Sequence, residues 1–158
     1  MMFADRRRTR FVVGWGALVV LAVAAAGQAP AARLENARLR VAFDSDTGRL
    51  TEFTDPHNGH PFVDGAPDDA LWRLALTLPS GARELSPADA AAFSFARPEE
   101  SMDTLELTWA GFGLDDAPAL RVTVTVSLAA DGSTALWRIA IEDTAGLPIN
   151  AVRFPRLP

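Results

Sequence analysis

Residues Leu120 to Leu128 set the strongest constraint on this chain. Leu120, Val122, Val124, Val126 and Leu128 alternate with Arg121, Thr123, Thr125 and Ser127. Successive side chains of a strand point to opposite faces, so this run has one apolar face and one wet face. The same period of two recurs along the chain. Leu39, Val41 and Phe43 alternate with Arg38, Arg40 and Asp44, and Trp72, Leu74, Leu76 and Leu78 with Arg73, Ala75 and Thr77. Phe93 and Phe95 flank Ser94. Leu105, Leu107 and Trp109 enclose Glu106 and Thr108, and Trp137, Ile139 and Ile141 precede Glu142 in phase. A buried parallel sheet reads as an unbroken apolar run, so half-apolar strands mean antiparallel sheets.

The punctuation agrees with that reading. Ser45-Asp46-Thr47-Gly48, Pro56-His57-Asn58-Gly59 and Ala130-Asp131-Gly132-Ser133 are turn sequences between alternating runs, and Asp-Gly is a strong hairpin signal. One short helix is expected from Ser86 to about Ala92, because Ser86-Pro87-Ala88-Asp89 offers a cap, a first-turn proline and a first-turn acid. Another strand is expected from Ile149 to Phe154. About eight short strands in close succession make an all-β, antiparallel β-sandwich the expected fold.

The first 32 residues differ in kind. Arg6, Arg7, Arg8 and Arg10 precede an uncharged apolar run from Phe11 to Ala26, and a small-residue segment with Ala-x-Ala sites follows. That is the order of a secretory signal peptide. The run is 16 residues long, short of the roughly 20 that a spanning helix needs. A cleaved signal is therefore expected, with no stable membrane anchor. Arg10 sits where a twin-arginine signal prefers an apolar residue, so general secretion to the periplasm or beyond is expected. The β-sandwich domain then spans residues 33–158. Taking four Arg and one Asp of residues 1–32 from the 15 basic and 20 acidic residues leaves 11 against 19, a net −8. Such a surface repels nucleic acid. With no cysteine, disulfide staples, thiolate metal sites and thiol catalysis are all excluded.

No catalytic, cofactor or metal set is expected in this segment. Asp46-Thr47-Gly48 matches the aspartic-protease triplet, but that chemistry needs two such loops sharing a proton, and Asp44-Ser45 and Arg49 are the wrong flanks. Asp44, Asp46 and Gly48 resemble the start of a calcium loop, yet the sixth position is Arg49 where that loop needs glycine, and the twelfth is Asp55 where it needs a bidentate glutamate. His57 and His60 flank Asn58-Gly59 and precede Pro61, which suits a turn better than a zinc site. Glu99-Glu100 and Asp115-Asp116 are adjacent acids in loops, not carboxylates held apart on a rigid frame. Trp72, Trp109 and Trp137 carry the residue type that stacks on sugar rings. All three lie on the apolar phase of their strands, which favours core packing. Trp72 and Trp109 remain the candidate carbohydrate contacts.

The run from Leu34-Glu35-Asn36 through Leu39, Val41, Phe43-Asp44 and Asp46-Thr47-Gly48 to Leu50, Phe53 and Asp55, with the stretch to Phe62 behind it, resembles the opening of galactose-mutarotase-like β-sandwich domains. Trp137 to Ile141 and Val152-Arg153-Phe154-Pro155 are similar to the continuation of that family. The resemblance spans about residues 33–158. Domains of this type stand at the N-terminus of large secreted bacterial glycoside hydrolases and polysaccharide lyases. In such glycosidases the catalytic acids are in a downstream (β/α) barrel, so no catalytic residue carries over. The resemblance implies a carbohydrate as partner, a downstream catalytic domain in cis, and a sandwich normally longer than this one. The expectation is thus an N-terminal piece of a longer enzyme, possessing an unpaired sheet edge. The alternatives are a free-standing carbohydrate-binding module and a secreted structural or interaction domain. Mass spectrometry of the exported protein is expected to find its new N-terminus between Gly27 and Arg33. Retention of the Phe11–Ala26 run on that protein would instead mark it as an anchor.

Overall fold

The computed structural model describes residues 32–62 and 70–157. All but the last residue of the expected signal peptide lies outside them. Strands dominate: β1 (Arg33–Glu35), β2 (Arg40–Phe43), β3 (Leu50–Asp55), β4 (His60–Pro61), β5 (Arg73–Leu78), β6 (Gly81–Leu85), β7 (Ala92–Ala96), β8 (Thr104–Ala110), β9 (Arg121–Leu128), β10 (Ala135–Glu142) and β11 (Ile149–Arg153). They form three sheets, in the orders β1-β2-β3-β4, β10-β9-β8-β7 and β11-β5-β6. Every pairing is antiparallel. The architecture is all-β and sandwich-like.

Alternation decides which face is buried. In the largest sheet Trp109 pairs with Val122 and Val122 with Ile141, and Leu107, Val124 and Ile139 form the next row. These rows share one face, where Leu105, Leu107, Trp109, Val122, Val124 and Val126 are wholly buried. Leu74 and Leu76 of β5 and Val41 and Leu34 of the first sheet complete the same core. Each full burial of such a side chain contributes about 1.5–3 kcal/mol before entropy is counted. On the opposite face of the large sheet the Thr104 and Ser127 hydroxyls meet across strands at 3.0 Å, as polar cross-strand pairs do. Among the described residues no polar or charged residue is buried. Arg40 pairs with Glu35 on β1 at 2.8 Å and Glu52 on β3 at 3.2 Å, lacing the first sheet along its solvent side.

The expected helix from Ser86 is not formed. The chain makes one 3-10 turn, Pro87–Asp89, then enters β7 at Ala92. The local signals are real: the Asp89 carboxylate accepts from both the N–H and hydroxyl of Ser86 at 2.8 Å. They start a turn but cannot propagate it, because helix growth must recover a costly nucleus. Phe93 and Phe95, paired opposite Trp109 and Leu107, bring the segment into the sheet instead. Two elements go beyond the expectation. β1 is a three-residue strand, and β6 carries Gly81-Ala82-Arg83-Glu84, all exposed. An edge strand of that composition has no alternation to read. Ala32, next to β1, is itself buried and its carbonyl accepts from the Phe43 N–H at 2.8 Å.

The β2–β3 hairpin approaches the core most closely at Gly48. Its φ is +70°, and a Cβ placed there would lie 2.4 Å from a Phe93 ring carbon and 2.5 Å from one of Trp109. Gly113 has φ +62° with open space around it. Left-handed strain alone costs about 1–2 kcal/mol, and overpacking adds about 1–3 kcal/mol. Gly48→Ala is expected to lose about 3 kcal/mol in chemical denaturation and Gly113→Ala about 1 kcal/mol. Equal losses would mean that the rings yield freely and the close approach is unimportant.

Candidate functional site

Two clefts are built from turns at the surface, and both begin with backbone capping by a side chain. The first lies under the β2–β3 hairpin. Asp44 accepts from the backbone N–H groups of Asp46 and Thr47 at 3.1 and 2.9 Å and from the Thr47 hydroxyl at 2.7 Å. This closes the turn that the aspartic-protease triplet occupies. The bond from the Thr47 hydroxyl, then those from the two backbone groups, hold the Asp44 carboxyl below its ordinary 3.8. Its three acceptor contacts are thus spent on the turn. The Trp109 Nε1–H donates to the Thr47 carbonyl at 2.9 Å. Between this hairpin, Phe93 and the Pro87–Ala91 segment is a cleft of about 520 Å³.

The sequence-derived sugar contacts are both in the core. Trp72 and Trp109 are 0 % exposed and pack edge-on with ring centres 5.8 Å apart. Trp72 also meets Phe112 edge-on at 5.9 Å. Such offset, tilted pairs are the favourable arrangement for aromatic quadrupoles. Trp109 reaches the floor of the first cleft, but neither indole presents a face to solvent. Trp137 is half-buried against Phe43 and Phe53.

The second cleft, of about 530 Å³, brings together Arg38, Asp55, His57, Phe62 and Ser133. Three turns converge there. Asn36 Oδ1 accepts from the N–H groups of Arg38 and Leu39 at 2.9 and 2.8 Å, fixing the β1–β2 turn. Asp55 accepts from the His57 N–H at 2.8 Å, and Asn58 from the His60 N–H at 2.8 Å. Asp131 accepts from the Ser133 N–H at 3.0 Å. The bonds from Ser133, with a smaller contribution from the Arg38 charge, hold the Asp131 carboxyl below 3.8. A Cβ placed on Gly132 would lie 3.5 Å from the Asn36 amide nitrogen, so the β9–β10 hairpin lies close beside the β1–β2 turn.

Phe62 is the residue that sequence reasoning passed over. It is 49 % exposed, yet its ring lies 5.2 Å from Phe53 and 5.8 Å edge-on from His60. His57 lies in the turn, as expected, while His60 opens β4 and its ring meets Phe62 edge-on. Among the described residues no three of His, Asp and Glu gather as a metal site would require. Glu99, Glu100, Asp115 and Asp116 are exposed in loops.

The chain matches no protein-family model and no curated protein sequence.

Because folding lowers the Asp44 pKa, the ionised carboxylate stabilises the fold above about pH 3.8, its unfolded value. That contribution is lost as pH falls below 3.8 and through the folded value. The melting-temperature gap between the protein and Asp44→Asn is expected to be widest at neutral pH and to narrow between pH 4 and lower pH. A gap independent of pH would show that the charge on Asp44 is irrelevant to the turn.

Proposed function

We propose that this chain is the N-terminal accessory sandwich of an exported carbohydrate-active enzyme, a glycoside hydrolase. Its fold is the galactose-mutarotase-like sandwich, and it supports a catalytic domain that follows it in cis. The observation that supports this most is the ordered opening, Leu34-Glu35-Asn36 through Asp46-Thr47-Gly48, on an antiparallel, sandwich-like frame. Two of those residues have clear structural tasks, and Trp109 outside the motif secures one of them. Asn36 closes a turn, Gly48 admits the hairpin to the core, and Trp109 holds it there. The signal-like first 32 residues direct the protein out of the cytoplasm by general secretion.

The carbohydrate-binding reading, in which the domain binds glycans independently of any catalytic partner, gains one specific observation. Phe62 is an exposed ring at a cleft that Arg38, Asp55 and Ser133 also line. A sandwich that carries such a ring can hold a glycan for a neighbouring active site, so the two readings share one chemistry.

The decisive experiment is on the exported gene product that contains this segment. It is expected to release reducing ends from a polysaccharide in a broad glycan panel, and its reading frame to continue into alternating strands and helices with carboxylates at strand ends. A frame that ends at Pro158, or a product inert across the panel, would refute the glycoside-hydrolase assignment.

A further inference from the structure

We infer that the cleft between the β1–β2 turn, the 55–62 turn and the β9–β10 hairpin is a binding site for neutral pyranose units of a glycan, with Phe62 as the stacking platform. The inference rests on the carbohydrate reading above and names its site and ligand class.

Phe62 combines exposure with fixity. Half of its surface is open to solvent. Its backbone N–H donates to the Phe53 carbonyl at 2.8 Å, and Phe53 and His60 brace its ring. A sugar ring has an apolar C–H face and a rim of hydroxyls. It needs a flat apolar surface that is already in place, with polar groups at its edge. Of the three tryptophans on the apolar strand phases, Trp72 and Trp109 have no free face to offer. Phe62 offers one beside Arg38, Asp55 and Ser133.

The polar groups suit hydroxyls. A guanidinium is a planar fork of donors, and a carboxylate is a paired acceptor. Vicinal hydroxyls can bridge either. Asp55 uses Oδ1 for the His57 N–H, which orients the carboxylate. The walls are pinned by side-chain-capped turns, so binding costs little additional ordering.

The balance of charge selects neutral sugars. Arg38 lies near Asp131, and Asp55 faces the same cleft. No net positive charge is left to attract a uronate or a sulfated sugar. The exported chain as a whole is acidic, which repels polyanions at longer range.

The test is affinity electrophoresis of the exported chain, purified whole, through gels containing xylan, galactomannan, mixed-linkage glucan or starch, with pectate as the anionic comparison. Retardation by at least one neutral polysaccharide is expected, and none by pectate. Phe62→Ala is expected to weaken that binding about tenfold and Phe62→Trp to preserve it. Arg38→Ala, at an exposed position outside the core, should weaken binding with an unchanged near-ultraviolet spectrum of the buried tryptophans. The inference is overturned if no neutral polysaccharide retards the chain, if pectate is the preferred ligand, or if both alanine variants bind as the parent does. Glycan hydrolysis by the longer product, alongside a chain that binds none of the neutral polysaccharides, would remove this site and leave the accessory-domain reading standing. Binding at Phe62 by a product that hydrolyses nothing would do the reverse.

Discussion

The Trp109 indole N–H meets the Thr47 carbonyl at 2.9 Å, joining segments 62 residues apart in sequence. Trp109 is wholly buried on the central strand β8. A buried N–H without an acceptor costs about 1–3 kcal/mol, so the hairpin carbonyl is part of the core as much as any leucine. Three local facts make the contact possible. Asp44 holds the turn closed, Gly48 adopts a left-handed conformation, and the missing Cβ lets the backbone settle on Phe93 and Trp109. Strands β7 to β10 pair with sequence neighbours and can form early through local contacts. The Trp109–Thr47 bond ties the β2–β3 hairpin to that sheet across a long sequence separation.

Much of this was legible because the alternation is clean where burial is complete. Leu120 to Leu128 reads as a strand from its side chains alone, since valines and threonines sort to opposite faces at every step. Legibility fails where the deciding contact is remote. Ser86-Pro87-Ala88-Asp89 is a sound helix start by every local rule. It yields a single turn because the residues after it pair with β8. Gly81 to Glu84 carries no apolar phase, and its strand exists only because β5 lies beside it. Ala145 has φ +52° in the β10–β11 connection, a conformation that its residue type disfavours. The Leu147 N–H donates to the Thr144 carbonyl at 3.0 Å around this residue.

The candidate site follows the same division. That Trp72 and Trp109 would be core residues was readable from their phase. That Phe62 would stand braced over a cleft was not. It follows a glycine turn and a proline, and no periodicity assigns it a face. Arg38, Phe62 and Ser133 come from three turns that the sequence spaces far apart. The β9–β10 hairpin comes close enough to the β1–β2 turn that a Cβ on Gly132 would touch the Asn36 side chain, a proximity that no local pattern encodes.

Exposure alone does not distinguish Phe62 from other surface apolar residues. Met102, Leu136, Ile149, Val152 and Leu157 are also exposed, and isolated apolar residues on a surface need no function. The difference lies in what surrounds them. Leu136 lies on the solvent face of β10, opposite Ser127. Ile149 and Val152 lie on β11, at the edge of its sheet, where an open ladder invites pairing with other strands. That edge carries polar side chains turned to neighbouring strands. Asn150 donates to the Thr77 hydroxyl at 2.8 Å, and Arg153 lies 4.0 Å from Glu84. Such groups hold the strand in register with β5. They supply neither a fixed ring nor a polar rim around a cavity. At Phe62 both occur together, and holding an aromatic ring rigid while half of it remains wet is favourable only if the rest of the surface pins it. Phe53 and His60 do so, on a turn whose own N–H groups are capped by Asp55 and Asn58.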